Sequence, residues 1–188
     1  VTAQLIAFKI TAYALPAIAA GVLLKFFLGR RKWIYVGDVL LGFGLIFFGL
    51  ATMQDGFAPL KDHPSFVALF TRFNADDMLS ISLCILVGTI MTMILQSSSA
   101  TIGVTMALAS QGLLNFEASA ALILGDNIGT TITAQLASIG ASVNARRTAR
   151  AHAIFNVLGV LLIISFFPFF LKMVIWITGH VMDIGPPD

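Results

Sequence analysis

Apolar residues in this chain come in long blocks separated by short polar or charged breaks. Residues 10–24, 39–54, 127–145 and 151–171 contain no Asp, Glu, Lys or Arg, and the longest charge-free run extends from 78 to 116. A helix that crosses the hydrocarbon core of a bilayer needs about 20 apolar residues. The run 78–116 is too long for one such helix, so it predicts a segment that enters and turns back. The pattern predicts helices over roughly 10–28, 33–53, 78–95, 102–114, 116–124 and 132–141. A last apolar segment runs over about 151–178, with a kink at Pro168. Between the second and third helices lies a polar loop, 54–77, holding Asp55, Asp62, Asp76 and Asp77 against Lys61 and Arg72. Within it, 64–73 fits a short interfacial helix, and His63 reads as a solvated loop residue.

Composition sharpens the class. Hydrophobic residues make up 58% of the 188 positions and charged residues 11%, against about 25% charged in soluble domains. So little charge does not cover the surface of a soluble protein of this size; the bilayer is its natural solvent. The single cysteine, Cys84, excludes an intrachain disulfide and a thiolate metal cluster. In its apolar run it reads as a small buried hydrophobe. Val1 opens the chain without the basic start or cleavage site of a secretory signal, and the expectation is a piece of a longer protein.

Short repeats support that expectation. Val1-Thr2-Ala3-Gln4-Leu5 resembles Ile132-Thr133-Ala134-Gln135-Leu136, 131 residues on, and Gly21-Val22-Leu23-Leu24 recurs as Gly159-Val160-Leu161-Leu162, 138 residues on. Together and in order they suggest a duplicated transporter core, with 1–33 as the end of a first repeat and 34–188 as the second. Basic loops favour the cytoplasm. Placing Arg30, Arg31 and Lys32 inside puts the acidic loop outside. If 78–114 is a re-entrant hairpin, 116–141 then crosses inward and brings Arg146, Arg147 and Arg150 inside. The two repeats then run in opposite directions.

Candidate chemistry lies in two polar interruptions. The first is Gln96-Ser97-Ser98-Ser99-Ala100-Thr101. Hydroxyls and an amide in an apolar stretch are costly unless paired, and unwound backbone at membrane depth occurs only where protein buries it or it lines a cavity. A helix restarting near Ala100 aims its amides at the break, an end suited to an anion. Ser97, Ser98, Ser99 and Thr101 add hydroxyl donors, while carbonyls and the Gln96 amide oxygen suit a sodium ion. The bland alternative is serine bonding to the carbonyl one turn back or gluing helices; four hydroxyls and a glutamine in six residues outweigh it.

The second interruption is Gly125-Asp126-Asn127-Ile128-Gly129-Thr130-Thr131, followed by Thr133 and Gln135. An intramembrane carboxylate is a functional candidate by default, so Asp126 is either part of a sodium site or a residue near the interface. Asn127 can cap the restarted helix, and Gly125-x-x-x-Gly129 also fits helix packing. The glycines at 37, 42, 44 and 49 likewise predict close helix approach. Lys25 and Asp38 read as snorkelling residues near membrane edges, and Glu117 as a carboxylate favoured at a helix start. His152 and Asn156, one turn apart, read as supports, pairing with each other or with the neighbouring broken helix.

These residues resemble the type II sodium–phosphate cotransporter family, including its bacterial members. The resemblance rests on Gln96-Ser97-Ser98-Ser99, on Gly125 to Thr131 running into Thr133-Ala134-Gln135-Leu136, on Arg146-Arg147 with Ala151-His152 and Phe155-Asn156, and on Gly42 to Leu50. It covers nearly the whole chain. It implies an all-α integral membrane protein with an inverted-repeat fold, a re-entrant helical hairpin and a broken helix. It also implies sodium-coupled symport of inorganic phosphate across the cytoplasmic membrane, with both ligands held between two repeats. The resemblance assigns phosphate to Ser97, Ser98, Ser99 and Thr101. It assigns sodium to Gln96, Asp126, Asn127, Thr130, Thr131, Thr133 and Gln135, with Thr2 and Gln4 as first-repeat counterparts. The expected partners are phosphate, the coupling ion Na+ and lipid, with no other cofactor and no nucleic acid. A second copy or a first-repeat segment would complete the half-site.

Three other readings stay open at this stage. Polar breaks with helix dipoles also build channels. A transporter of another anion, or a phosphate exporter, uses the same parts. An intramembrane serine hydrolase needs a base beside its nucleophile; Ser97 to Ser99 and His152 supply the residue types without a nucleophile motif.

Overall fold

A computed structural model describes residues 11–28, 31–62 and 74–181. The expected interfacial helix at 64–73, His63, Thr2 and Gln4 lie outside the described residues. All regular structure in the described residues is helical. A 3-10 turn, Thr11–Tyr13, leads into α1, Ala14–Phe27, whose Pro16 falls in the first turn where its missing N–H costs nothing. The second helix, α2, spans Arg31–Phe57. At 27 residues it rises about 40 Å, beyond the ~30 Å hydrocarbon core. A 3-10 turn, Ala58–Asp62, closes it.

Glycines set how these two helices meet. A Cβ on Gly21 would stand 2.8 Å from the Gly37 carbonyl oxygen, and one on Gly44 would stand 2.8 Å from the Ala14 carbonyl oxygen. The backbones therefore touch along Gly21, Gly37 and Gly44. Gly42 and Gly49, on another face of α2, have open space at the same position, so two of the four expected glycines serve this contact. Lys25 and Asp38 also meet each other: the lysine Nζ lies 2.7 Å from the Asp38 carboxylate, linking the pair at its exposed edge.

The apolar run 78–116 folds as a helical hairpin. Helix α3, Met78–Leu95, starts at Asp77, whose carboxylate accepts the Ser80 amide at 2.7 Å. Helix α4, Ser98–Ser110, follows after two residues. Gly112, at φ +71°, turns the chain into α5, Phe116–Gly129, capped by Asn115 with Glu117 in its first turn. Then come α6, Thr131–Ala137, and α7, Val143–Ser165, capped by Ser142. Helix α8, Phe167–Val181, ends the described chain. Among the described residues three helices, α2, α3 and α7, are long and apolar enough to cross a membrane. Their outer faces stay apolar: Ile94 is 75% and Phe155 76% exposed, as lipid contact requires.

Two boundaries differ from expectation. The helix does not unwind over Gly125–Thr131. It runs unbroken through Gly129, and the interruption narrows to Thr130, itself near helical at φ −62°, ψ −21°. Glycine is tolerated there because α5 packs on α3. A Cβ on Gly88 would collide with the Leu122 carbonyl, one on Gly125 with the Ile85 carbonyl, and one on Gly129 with the Thr89 carbonyl. The segment 151–178 does not run as one kinked helix but divides at Phe166 (φ −124°, ψ 25°). Pro168 offers no N–H to the Ile164 carbonyl and becomes a first-turn residue of α8. The division lets Phe167 and Leu171 join Cys84, Ile85, Leu122 and Val160 in the core. Cys84 is fully buried there, as expected.

Candidate functional site

The hairpin turn is built from Gln96 and Ser97. Gln96 adopts the left-handed conformation, φ 51°, ψ 27°, and its amide donates to the Thr92 carbonyl at 2.7 Å, closing α3. A side chain in that region costs roughly 1 kcal/mol or more, so glycine or asparagine is the ordinary occupant. Ser97 is extended, and its hydroxyl oxygen accepts the Ala100 amide at 3.3 Å. It caps α4, which starts at Ser98, two residues before the expected restart. The amides of Ser98 and Ser99 find no carbonyl one turn back, so they face the break with the positive end of the helix dipole behind them. The hydroxyl of Ser97 keeps its proton for another acceptor. Ser99 also lines a 630 Å³ groove between α2 and α4, with Leu45, Gly49, Met53 and Gly103 among the walls.

Behind this turn lies a buried polar cluster. Asp126 on α5, 4% exposed, stands with its Oδ1 2.7 Å from the Thr92 hydroxyl on α3. The Thr92 hydroxyl lies 2.9 Å from that of Thr101 on α4 and 2.9 Å from the Gly88 carbonyl. Thr92 donates to the Asp126 carboxylate and lies within hydrogen-bond distance of the Thr101 hydroxyl, which itself donates to the Ser97 carbonyl at 3.3 Å. Thr89, one turn earlier, reaches the Gly125 carbonyl at 3.0 Å. Close approach at Gly88, Gly125 and Gly129 brings the hydroxyls and the carboxylate together, because a larger residue at any of the three would hold the helices apart.

The two interruptions, separate in sequence, thus share one place. Thr101 is turned inward to Thr92, 1% exposed, away from the hydroxyls of Ser97 to Ser99. Asn127 does not cap a restarted helix: its Nδ2 donates to the Ile123 carbonyl at 3.1 Å inside α5, leaving its oxygen exposed. Thr130 supplies the N-cap position of α6 without a side-chain bond. Thr131 is buried and bonds to the Ile128 carbonyl, and Thr133 bonds to the Thr130 carbonyl. Gln135 reaches away from the hairpin, its Nε2 donating to the Ala149 carbonyl at 2.9 Å and tying α6 to α7. Asn156 donates to the His152 carbonyl, one turn back. His152 lines a separate 410 Å³ cavity with Ser138 and Thr148, so base and serine do not meet as a hydrolase requires.

Sequence reading missed Thr89 and Thr92. Both lie in a charge-free run, where threonine bonding to its own helix is commonplace. Their signal was spacing: Gly88, Thr92 and Gln96 recur every four residues and so share one face of α3.

Helix-start amides and a buried carboxylate brought together between apolar helices are parts that a transport protein uses, and comparison with known proteins gives the family. The Na+/Pi-cotransporter family profile matches residues 1–55 and 68–179. The chain belongs to the Na+/Pi-cotransporter family, a family of transporters and not of enzymes. It is 33% identical over 185 residues to YqeW of Bacillus subtilis (strain 168), covering 98% of this chain and 56% of YqeW. It is 29% identical over 166 residues to the "Putative inorganic phosphate export protein YjbB" of Salmonella typhimurium, covering 87% of this chain and 30% of that protein. With sodium-dependent phosphate transport protein 2C of Rattus norvegicus it shares 40% identity over 104 residues, 50% of this chain and 17% of the rat protein. The chain therefore spans about half the length of YqeW and less of the others. No solved structure matches it.

Proposed function

We propose that this chain forms part of a sodium-coupled inorganic phosphate transporter of the cell membrane, with the hairpin turn as its anion contact. The carrying observation is the turn itself: the free amides of Ser98 and Ser99, the Ser97 hydroxyl and the α4 dipole converge on one small volume. A tetrahedral oxyanion with several acceptor oxygens matches that set of donors. Sodium ligands come from the Gln96 amide oxygen, the exposed Asn127 oxygen, Thr130 and the carboxylate of Asp126. Thr131, Thr133 and Gln135 support the bends that hold them. The first-repeat half of the site, to which Thr2 and Gln4 belong in this reading, completes the contacts. The names of the rat relative and of the family support phosphate and sodium as the transported pair.

Export is the second reading, and the name of the Salmonella relative favours it. Both are tested by labelled phosphate flux in proteoliposomes holding the full-length protein, with sodium gradients imposed in either direction. Flux that follows the sodium gradient inward supports symport, and outward flux indifferent to sodium supports export. Ser98→Ala leaves the fold intact and removes one donor to a charged ligand, worth about 1.5–3 kcal/mol. Its expected effect is a roughly tenfold or greater rise in the half-saturating phosphate concentration. Unchanged phosphate dependence in both Ser97→Ala and Ser98→Ala would remove the hairpin hydroxyls from the anion site.

A further inference from the structure

The start of α7 carries Arg146, Arg147 and Arg150, all exposed. Among the described residues no carboxylate pairs with any of them; the ion pair described there joins Lys25 to Asp38 on other helices. The first turn of α7 holds no acidic residue either. Three cations thus stand unbalanced toward the end of a helix that itself disfavours positive charge. Their direction says what balances them. The face of α7 built by Ala145, Thr148, Ala149 and His152 turns toward α6: these residues line the 410 Å³ cavity, and the Ala149 carbonyl receives Gln135. At 3.6 residues per turn the three arginines fall on the opposite side. Ile154, Leu158 and Leu161 continue that outer side, 58%, 60% and 54% exposed. One ridge therefore changes from guanidinium to aliphatic along its length. Charge ends at Arg150, and the uncharged stretch 151–171 begins beside it, which sets the arginines at headgroup depth with their stems along the apolar surface. An acidic protein segment would match the charge but not the apolar ridge in line with it. A phospholipid carries both a phosphate and acyl chains.

We propose that the outer ridge of α7 binds an anionic phospholipid in the leaflet facing the cytoplasm, with its phosphate at Arg146 and Arg150, Arg147 beside them, and an acyl chain along Ile154, Leu158 and Leu161. Arg146 and Arg150 are four residues apart and so are neighbours on the helix surface. Guanidinium groups hold phosphate oxygens through parallel pairs of hydrogen bonds. The net charge of the headgroup decides selectivity: phosphatidylglycerol keeps its negative charge, whereas the choline cation of phosphatidylcholine cancels it. Anionic lipid is concentrated in the cytoplasmic leaflet, where basic segments are drawn to it. The ridge shares no residue with the hairpin turn, so the site stands whether or not the chain moves phosphate. A lipid held here anchors the start of α7, which Gln135 joins to α6.

The test titrates the purified full-length protein in detergent with phosphatidylglycerol bearing a fluorescent acyl chain, and with the matching phosphatidylcholine. Wild type is expected to bind phosphatidylglycerol about tenfold or more tightly than phosphatidylcholine. Arg146→Gln with Arg150→Gln is expected to weaken phosphatidylglycerol about thirtyfold, roughly fivefold for each arginine, and to leave phosphatidylcholine unchanged. Arg146→Lys with Arg150→Lys is expected to lose less, because the charge stays and only the paired contacts go. Should the double glutamine variant fail to fold, Arg150→Gln alone decides by its fivefold step. Arg31→Gln with Lys32→Gln removes the same charge from the start of α2 and is expected to leave binding as in wild type. Equal affinity of wild type for the two lipids overturns the proposal. So does an equal loss from the α2 variant, since binding would then follow net charge and not the α7 ridge. Inorganic phosphate that displaces the labelled lipid would assign the arginines to a free anion and overturn it as well.

Discussion

The α1–α2 pair and the α3–α5 pair are held together by the same device and used in opposite ways. In both, glycines let two backbones touch: Gly21, Gly37 and Gly44 in the first, Gly88, Gly125 and Gly129 in the second. In lipid no hydrophobic force drives helices together, so such close packing replaces it. The first pair keeps its charges at the rim, where Lys25 and Asp38 are 39% and 46% exposed. The second closes around a carboxylate and two threonines with almost no exposure. Close backbone contact alone therefore makes a scaffold. The same contact with polar groups on the touching faces makes a buried hydrogen-bonded cluster.

The largest effect that separates these roles comes from adding one methyl group. Gly125→Ala places a Cβ against the Ile85 carbonyl, backbone that cannot turn aside. It is expected to destabilise the protein by about 3 kcal/mol, the upper part of the usual overpacking range, and to pull Thr92 from Asp126. Gly37→Ala meets the Gly21 carbonyl at 2.7 Å and loosens the scaffold pair by less, while Gly42→Ala, facing open space, changes nothing. Thermal unfolding in detergent by size-exclusion chromatography ranks the three. Equal tolerance of Gly125→Ala and Gly42→Ala would break the comparison.

A smaller effect sharpens it at the hairpin turn. Gln96 sits at φ 51° where glycine sits freely. Gln96→Gly is therefore expected to stabilise the fold by about 1 kcal/mol while lowering sodium-dependent phosphate flux. A stability gain with flux intact would make Gln96 only a helix terminator; a gain with flux lost marks a strained residue kept for its amide oxygen.

Much of this was legible in the chain, and the failures have physical causes. Charge-free runs gave the helices, since a spanning segment has to be apolar. Four hydroxyls and a glutamine gave the turn, because nothing apolar explains them. Gly125 and Gly129 were read both as breakers and as packing residues, and packing prevailed: α3 supplies contacts that outweigh glycine's conformational freedom. Asn127 lost its capping role for the same reason, as the helix did not restart beside it. Thr92 stayed hidden because its importance depends on Asp126, 34 positions away, and on helix contacts that single-chain periodicity does not carry. Lys25 and Asp38 were legible one at a time; their pairing required knowing that Gly21 faces Gly37.

That ion pair supplies the smallest expected effect. Its partners are well placed at 2.7 Å but both are partly exposed, and such pairs contribute about 0–1 kcal/mol. Lys25→Met and Asp38→Asn are each expected to lower stability slightly, and the double variant to lose little more than either alone. The reversed pair, Lys25→Asp with Asp38→Lys, is expected to regain most of the loss, because the contact at the rim asks only for opposite charges. Phosphate flux should stay unchanged in all four. Asp126 permits no such exchange, for its partner is the Thr92 hydroxyl and its surroundings are buried. A Lys25 variant that lost flux while keeping its stability would show that the rim of the scaffold pair takes part in transport, and the division between scaffold and pocket would no longer hold.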